Sequence, residues 1–226
     1  MRKTSLLFAV AIFDILLAQT NIDSGLVVYL PFDGDTRDYS GRKNHALAFG
    51  VIWHPNRFGN TGRAAYLKAN GGMIIPFTSD FDFSETRAFS VGYWTNSNSV
   101  GFSNHPSDFD CLGCFQFAIY PDESHPEKTW VTVMGSHCWI FLRSGNTNLI
   151  GWHHYFVTLN DKQIHLYIDG KNIDTQAPYN LRWRLASLHH LEIGLLPGKN
   201  GSIDELRMYN RKLTSDEVLY LFNLRK

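Results

Sequence analysis

The chain has 226 residues, 44% of them hydrophobic, and 21 lysines and arginines balance 21 aspartates and glutamates. This length suits one domain with a sizeable core, and the lack of a basic excess argues against nucleic-acid binding. Its 16 Phe, 10 Tyr, 18 Gly and 8 Pro favour strands and turns over helices. The composition therefore predicts a single all-β domain.

The first residues differ from the rest of the chain. Two basic residues precede an apolar run that begins at Leu6 and ends at Ala18, interrupted by Asp14. A short basic segment followed by an apolar run and a small residue is typical of a secretory signal peptide. We predict that residues 1–18 are a signal peptide and that the protein is secreted. No later apolar run is long enough to span a membrane.

The N-terminal half of the domain begins with a strand and a polar loop. Leu26 to Phe32 is predicted as a strand, and the segment from Asp33 to Ala46 is rich in aspartate, glycine and asparagine. Three further strands are predicted before residue 100: Ala64–Leu67, Met73–Pro76 and Ala88–Thr95.

The middle third contains all three cysteines, Cys111, Cys114 and Cys138. In a secreted chain one pair can form a disulfide, and we expect Cys138 to pair with Cys114 or Cys111. A zinc or redox role for the CxxC spacing is disfavoured, because no second CxxC and no βαβ pattern accompanies it. Three successive strands are predicted here: Cys114–Tyr120, Trp130–Met134 and Cys138–Arg143.

The last third contains strands joined by tight turns, including Asp169-Gly170. The predicted strands are Gly151–Val157, Gln163–Ile168, His189–Leu196 and Ile203–Tyr209.

Asp204 stands out in the final predicted strand. Strict alternation would place Asp204 on one face with Leu206 and Met208, and a carboxylate facing an apolar layer needs a cation or several N–H donors. Thr214 and Glu217 have capping-box spacing, which predicts a short C-terminal helix.

Several of these segments resemble laminin-G-like domains of the concanavalin A-like lectin/glucanase superfamily. The segments that carry the resemblance are Phe32-Asp33-Gly34, Asp38-x-Ser40-Gly41-x-x-Asn44-His45, Arg57-Phe58-Gly59-x-x-Gly62, the Phe89–Trp94 strand, Trp152-His153-His154 and the stretch from Gly198 to the capped helix. The middle third matches poorly. The resemblance implies one domain over residues 24–226 with an all-β fold, a two-sheet antiparallel jelly-roll sandwich with a short C-terminal helix.

The resemblance also implies a calcium ion, because such relatives often hold one between loops near their first and last strands. Carried over, Asp33, Asn44 and Asp204 become candidate side-chain ligands, with Asp38 as a fourth, and the calcium would be structural. The alternative is that Asp33 and Asp38 accept hydrogen bonds from turn amides and that Asp204 pairs with an arginine.

No catalytic residue is assigned. Asp80, Asp82 and Glu85 form an acidic segment, but it lacks the Glu-x-Asp-x-x-Glu pattern of the β-glucanases. The pairs His153-His154 and His189-His190 lie on predicted strands, where adjacent side chains point to opposite faces and cannot easily bind one ion.

An exposed aromatic platform for a ligand is expected at Trp183, which lies between two arginines in a loop with Tyr179. The alternative is that Trp183 is packed, as tryptophans usually are.

The sequence therefore predicts a secreted, non-enzymatic binding module that recognises a glycan or an extracellular protein and carries a structural calcium. One alternative is a glycoside hydrolase or polysaccharide lyase of the same superfamily, using loop carboxylates in the middle third. Another is a self-associating extracellular or coat protein joined through an unpaired cysteine.

Overall fold

A computed structural model describes residues 22–97, 99–103, 116–121, 129–135, 138–143, 150–177, 190–195 and 199–225. It contains thirteen strands within these ranges: β1 (Leu26–Leu30), β2 (Leu47–His54), β3 (Ala64–Ile75), β4 (Ala88–Thr95), β5 (Val100–Ser103), β6 (Gln116–Pro121), β7 (Thr129–Gly135), β8 (Cys138–Arg143), β9 (His153–Asn160), β10 (Ile164–Ile168), β11 (Lys171–Gln176), β12 (Leu191–Leu195) and β13 (Gly201–Tyr209). A 3₁₀ turn covers Ser79–Phe81, and the helix α1 covers Ser215–Asn223.

The strands form two antiparallel layers that pack on one core. The first layer has the order β11-β10-β9-β4-β13 with β1 beside β13, and the second has the order β3-β12-β5-β6-β7-β8 with β2 beside β3. Pairing of β13 with β3 joins the layers. Strands β8 and β11, at opposite ends of this path, lie close together. The predicted antiparallel sandwich is therefore confirmed.

Strand β13 is central because it pairs with three other strands. Its first residues pair with β3, its last residues pair with β1, and β4 runs along its other edge. All nine of its residues are buried, since both of its faces are covered. This strand joins the first strand of the domain to the two layers.

The alternation predicted for β13 is wrong at one point. Glu205 has a φ of 55°, and the register with β4 shifts between Asp204 and Arg207. This bulge places Ile203, Leu206 and Met208 in the core between the layers, whereas Asp204 pairs with Trp94 on the outer face of the first layer. Asp204 therefore does not share a face with Leu206 and Met208.

The core between the layers is large and apolar. It takes aromatic and aliphatic side chains from most strands of both layers, including Phe32, Phe89, Tyr93, Phe102 and Ile193. Burial on this scale is the main favourable contribution to folding.

Helix α1 begins with the predicted capping box. The Thr214 hydroxyl accepts a hydrogen bond from the Glu217 amide, and the Glu217 carboxylate accepts one from the Thr214 amide. Val218 and Leu221 pack against Phe156 and Tyr209, so the helix covers the outer face of the first layer. In the part of the chain that is described, no helix combines the length and apolar character needed to cross a membrane.

Several predicted boundaries differ from the structure. Ala64–Leu67 and Met73–Ile75 belong to one strand, β3, which ends before Pro76. The strands β2 and β5 were not predicted, and the turn at Asp169-Gly170 predicted a following strand, β11, without bounds. Neither β2 nor β11 has a clear apolar alternation, because β2 is an almost continuous apolar run and β11 is largely polar.

Candidate functional site

Asp38, a predicted calcium ligand, organises the N-terminal loop. Its carboxylate accepts hydrogen bonds from the amides of Tyr29, Ser40 and Asn44 at 2.8, 2.9 and 2.8 Å, and from the Ser40 hydroxyl at 2.7 Å. Asp38 is buried. Its oxygens are thus occupied by N–H and O–H donors that hold the loop against β1.

Asn44 lies beside Asp38 and connects the loop to two other segments. Its Nδ2 donates to the Val27 carbonyl at 2.8 Å and to Asp80 Oδ2 at 3.1 Å, and its Oδ1 accepts from the Thr78 hydroxyl at 3.0 Å. Asp80 therefore helps to hold a structural loop. The acidic segment around it is a 3₁₀ turn rather than an alternating strand.

Asp204 forms a buried ion pair with Arg57. Arg57 Nη1 lies 2.9 Å from Asp204 Oδ2, and Arg57 Nη2 donates to the Leu224 carbonyl at 2.9 Å. The guanidinium carbon lies 4.5 Å from the centre of the Trp94 ring and 4.4 Å from that of Phe58. Arg57 therefore links β13 to the end of the helix.

Burial sets the protonation of Asp204. Desolvation, together with the nearby Glu205 carboxylate, raises the pKa of Asp204 to about 7, against the lowering effect of the Arg57 guanidinium. The same face contains a second buried pair, in which Arg207 Nη2 lies 2.9 Å from Glu205 Oε2 and its guanidinium lies over the Tyr29 ring.

The four predicted calcium ligands are each bonded to other protein groups. Asp33 is partly exposed and pairs with Arg63 at 3.0 Å, while Asp204 pairs with Arg57 and Asp38 binds backbone amides. Within the described ranges, no group of three or more His, Cys, Asp or Glu residues could hold a metal ion. In this arrangement the side chains do not fit a calcium ion, because N–H donors already occupy the oxygens that a hard cation needs.

The adjacent histidines of β9 share one carboxylate. His153 Nδ1 lies 2.8 Å from Asp169 Oδ2, and the His154 amide donates to Asp169 Oδ1 at 2.9 Å. The hydrogen bond with Asp169 raises the pKa of His153. The His154 ring packs against Trp94 and Phe222, and burial lowers its pKa to about 3. His154 is therefore a neutral packing residue.

On the outer face of the second layer, strands β2, β3 and β12 lie side by side, and β2 carries exposed apolar side chains; we call this the open face. Met73 and Ile75 point into the core, so the alternate residues Gly72 and Ile74 point outward. On β2, Leu47 pairs with Ile74, Phe49 with Gly72, and Ile52 with Tyr66. Leu47, Phe49 and Ile52 are exposed by 64%, 50% and 40%, which is unusual for large apolar side chains.

Three glycines lie side by side on this open face. Gly194 on β12 pairs with Gly72 on β3 and with Gly101 on β5, and we call this set the glycine row. The next outward position of β12 is Glu192, whose Oε1 lies 2.6 Å from His190 Nε2. The sequence shows each glycine but not their common register, so this site was not predicted.

The other predicted site residues lie outside what the structure describes. Cys111, Cys114, Tyr179 and Trp183 fall beyond the described ranges, as does the predicted signal peptide, residues 1–18. Cys138 begins β8, and only its backbone is described. The disulfide and the aromatic platform therefore stay predictions.

Solved structures share this fold. The binding domain of Paraclostridial Mosquitocidal Protein 1 matches with a TM-score of 0.70 and 18% identity over 89% of this chain and 52% of that chain. A structure of botulinum neurotoxin type C, whose cell entry depends on two ganglioside molecules, matches with a TM-score of 0.68 and 19% identity. That match covers 91% of this chain and 52% of the neurotoxin chain. This chain thus spans about half the length of these two chains.

This chain also matches a solved domain of similar size. It is domain 4 of AbnA, a GH43 extracellular arabinanase from Geobacillus stearothermophilus, in complex with arabinotriose. The TM-score is 0.67 at 20% identity, over 88% of this chain and 98% of that chain. At such identities these structures show a common fold.

Sequence comparison identifies the family. No curated protein sequence matches the chain. A laminin-G-type family model, described as the concanavalin A-like lectin/glucanases superfamily, matches residues 68–219, which is more than half of the chain. The chain therefore belongs to the concanavalin A-like lectin/glucanases superfamily, as the sequence motifs predicted.

Proposed function

We propose that the protein is a secreted, non-enzymatic binding module that recognises a glycan. The observation that carries this proposal is the open face, where Leu47, Phe49 and Ile52 of β2 are exposed and the exposed polar residues Glu192 and His190 lie two strands away. Exposed apolar residues with a polar rim are typical of binding sites.

The solved structures of the same fold support a glycan over other ligands. Cell entry of botulinum neurotoxin type C depends on interaction with two ganglioside molecules. Domain 4 of AbnA was solved in complex with arabinotriose, and the binding domain of botulinum neurotoxin DC was solved in complex with SialylT. One such domain was solved with rat synaptotagmin II, so an extracellular protein is the second candidate ligand. Function resides in sites carried by the fold and not in the fold itself, so these likenesses support the class of ligand only.

Four buried carboxylates are already bonded to other protein groups. Retaining glycoside hydrolysis needs two free carboxyl groups about 5–5.5 Å apart on either side of the bond. Asp38, Asp204, Glu205 and Glu217 are buried and each is held by hydrogen bonds or an arginine. These four groups have structural roles.

Binding of the purified mature chain to an array of neutral, sialylated and sulfated glycans tests the proposal. We expect retention on a subset of the glycans, without release of shorter sugars from the matching polysaccharides. Retention on none of them, together with capture of a defined extracellular protein, would favour the second candidate. Release of shorter sugars would instead identify a hydrolase or a lyase.

A further inference from the structure

We propose that strand β2 pairs edge to edge with β2 of a second copy of this chain, antiparallel, so that the protein forms a twofold-symmetric dimer. The second layers of the two copies would then form one continuous sheet. The juxtaposition that carries the proposal is an unprotected sheet edge and a bulge that makes this edge complementary to itself. The proposal goes beyond the proposed function and does not depend on it.

The edge at β2 lacks the protection that the other sheet edges have. The outer edge of β1 is occupied, because the Tyr29 amide donates to Asp38 and the Val27 carbonyl accepts from Asn44. Strand β11 carries charged residues and lies close to β8. Among the described strands, β2 pairs with β3 alone. Its other edge therefore offers backbone N–H and C=O groups to a further strand.

The sequence of β2 also lacks the side chains that usually prevent edges from joining. Leu47–His54 contains no Asp, Glu, Lys, Arg or Pro, and its first four residues are exposed. Lysines and prolines on exposed edge strands normally block pairing with another sheet. In a twofold contact the same surface patch meets itself, so like charges would lie close together. An uncharged strand avoids this repulsion.

A bulge changes which residues of β2 share a face. Gly50 has a φ of 62°, and the register with β3 shifts between Phe49 and Val51. The bulge adds one residue to β2. Phe49 and Ile52, three positions apart, therefore both pair with outward-pointing residues of β3.

This change of face allows β2 to pair with itself over its full length. Directly opposite residues of an antiparallel pair lie on the same face, whereas the first and last residues of a regular eight-residue strand lie on opposite faces. In β2 the bulge puts Leu47 and His54 on the same outer face. A twofold axis at the bulge then places Leu47 opposite the second copy's His54, and Phe49 opposite the second copy's Ile52.

This register gives the exposed side chains apolar neighbours. Phe49 and Ile52 are both exposed in one chain and would lie side by side twice in the dimer. Pairs of an aromatic and a β-branched residue stabilise antiparallel sheets. The His54 ring, stacked on Tyr66 at 4.1 Å, would lie beside the exposed Leu47 side chain.

The length of the strand predicts a weak dimer. Eight paired residues supply up to about eight ladder hydrogen bonds, and contacts of this size are typical of transient complexes. We therefore expect a dissociation constant of about 1–100 µM. An extended peptide would use the same backbone groups, but a second copy supplies a strand of equal length, with the same bulge and no charge, without any further partner.

The test is sedimentation velocity of the mature chain at about 1 to 500 µM, in a reducing agent that prevents disulfide-linked dimers. We expect the mass to rise from one chain towards two with concentration. Phe49→Lys and Ile52→Glu each place two like charges in the contact, and each should weaken the dimer by about tenfold or more. Leu219→Lys changes an exposed apolar residue of the helix and should leave the dimer unchanged. Circular dichroism confirms that each variant is folded.

A mixture of two variants tests the register. Phe49→Lys mixed with Ile52→Glu places one lysine opposite one glutamate, so the mixed dimer should form more readily than the dimer of either variant alone. Phe49→Lys mixed with Leu47→Glu is the matched control, because Leu47 lies opposite His54 and not opposite Phe49 in this register.

Each contrary result overturns a defined part of the proposal. A monomer at every concentration would show that the edge of β2 does not bind a second copy. A dimer that Phe49→Lys leaves intact would place the contact elsewhere. Equal recovery in both mixtures would overturn the register. Glycan binding is measured separately on the array, so none of these results decides the proposed function.

Discussion

The two outer faces of the sandwich differ sharply in what covers them. The outer face of the first layer, which we call the sealed face, lies under helix α1 and contains two buried ion pairs, Arg57–Asp204 and Arg207–Glu205. The open face of the second layer carries exposed apolar side chains and a row of glycines. Removing one partner of a buried charge pair is costly, so changes to the sealed face should affect stability, whereas exposed apolar side chains are available to a ligand.

The largest expected effect concerns the sealed face. At a pH above the Asp204 pKa of about 7, Arg57→Met leaves the ionised Asp204 carboxylate buried without its cation, which costs about 3–5 kcal/mol and lowers the melting temperature by about 6–20 °C. Chemical denaturation and thermal unfolding measure both values. Arg63→Met is the matched control, because Arg63 pairs with Asp33 at a similar distance of 3.0 Å but in solvent; its cost should stay below about 1 kcal/mol. Equal losses for both variants would contradict the contrast between a buried pair and an exposed one.

The second prediction concerns pH, since two groups of the sealed face titrate with opposite effects. The folded-state pKa of Asp204, about 7, lies above its usual value of 3.8, so its stabilising contribution is lost as the pH rises towards 7. The folded-state pKa of His154, about 3, lies below its usual value of 6.5, so its contribution is lost as the pH falls towards 3. Each contribution is of the order of 4 kcal/mol, so the two largely cancel between pH 4 and 6.5.

Asp204→Asn separates these contributions. The amide still accepts a hydrogen bond from Arg57 but no longer titrates, so only the His154 contribution remains. We expect the free energy of unfolding of this variant to rise from pH 4 to pH 6.5 by a few kcal/mol, while that of the unmodified protein stays nearly flat. Urea unfolding at several pH values measures it, and identical pH profiles for the two proteins would rule out a raised pKa for Asp204.

A smaller effect is expected from the same change made on each face. A Cβ added at Gly92 would collide with the Phe156 ring, which packs under the helix, so Gly92→Ala should cost about 1–3 kcal/mol. A Cβ added at Gly194 meets nothing, so Gly194→Ala should stabilise the protein by about 0.5–1 kcal/mol. Thermal unfolding of the two variants measures both effects. A loss of stability in Gly194→Ala would show that other atoms lie close to the outer side of the glycine row.

The smallest expected effect is that of calcium. Asp38 and Asn44 are bound to backbone groups and Asp204 to Arg57, so we expect the melting temperature in EDTA and in about 10 mM calcium to agree within about 1 °C. A rise of about 5 °C or more that Asp38→Asn abolishes would instead support the calcium ion predicted from the family resemblance.

Local patterns in the sequence predicted much of the fold. Capping-box spacing predicted the start of helix α1 at Thr214, and the apolar strands with their turns predicted most of the antiparallel layers. These features depend on residues close together in the chain. Some of the motifs that predicted the family, such as Asp38-x-Ser40-Gly41, lie in loops where few residue types fit the required backbone.

The parts that were missed depend on distant residues. The partner of Asp204 is Arg57, 147 positions away, and the bulge at Glu205 depends on how β13 pairs with β4. Gly72, Gly101 and Gly194 form a row only through the pairing of three strands. Neither composition nor periodicity shows which distant residues pair. The family resemblance therefore predicted the fold but not the position of the candidate site.

The position of β13 has a consequence for synthesis of the protein. Its partners β1, β3 and β4 leave the ribosome long before residues 201–209, and the joint between the layers forms only with β13. Contacts so distant in sequence make folding slow. Strand β1 and the apolar sides of β3 and β4 therefore lack their final partner during translation, which leaves unpaired strand edges and apolar surface exposed on the nascent chain.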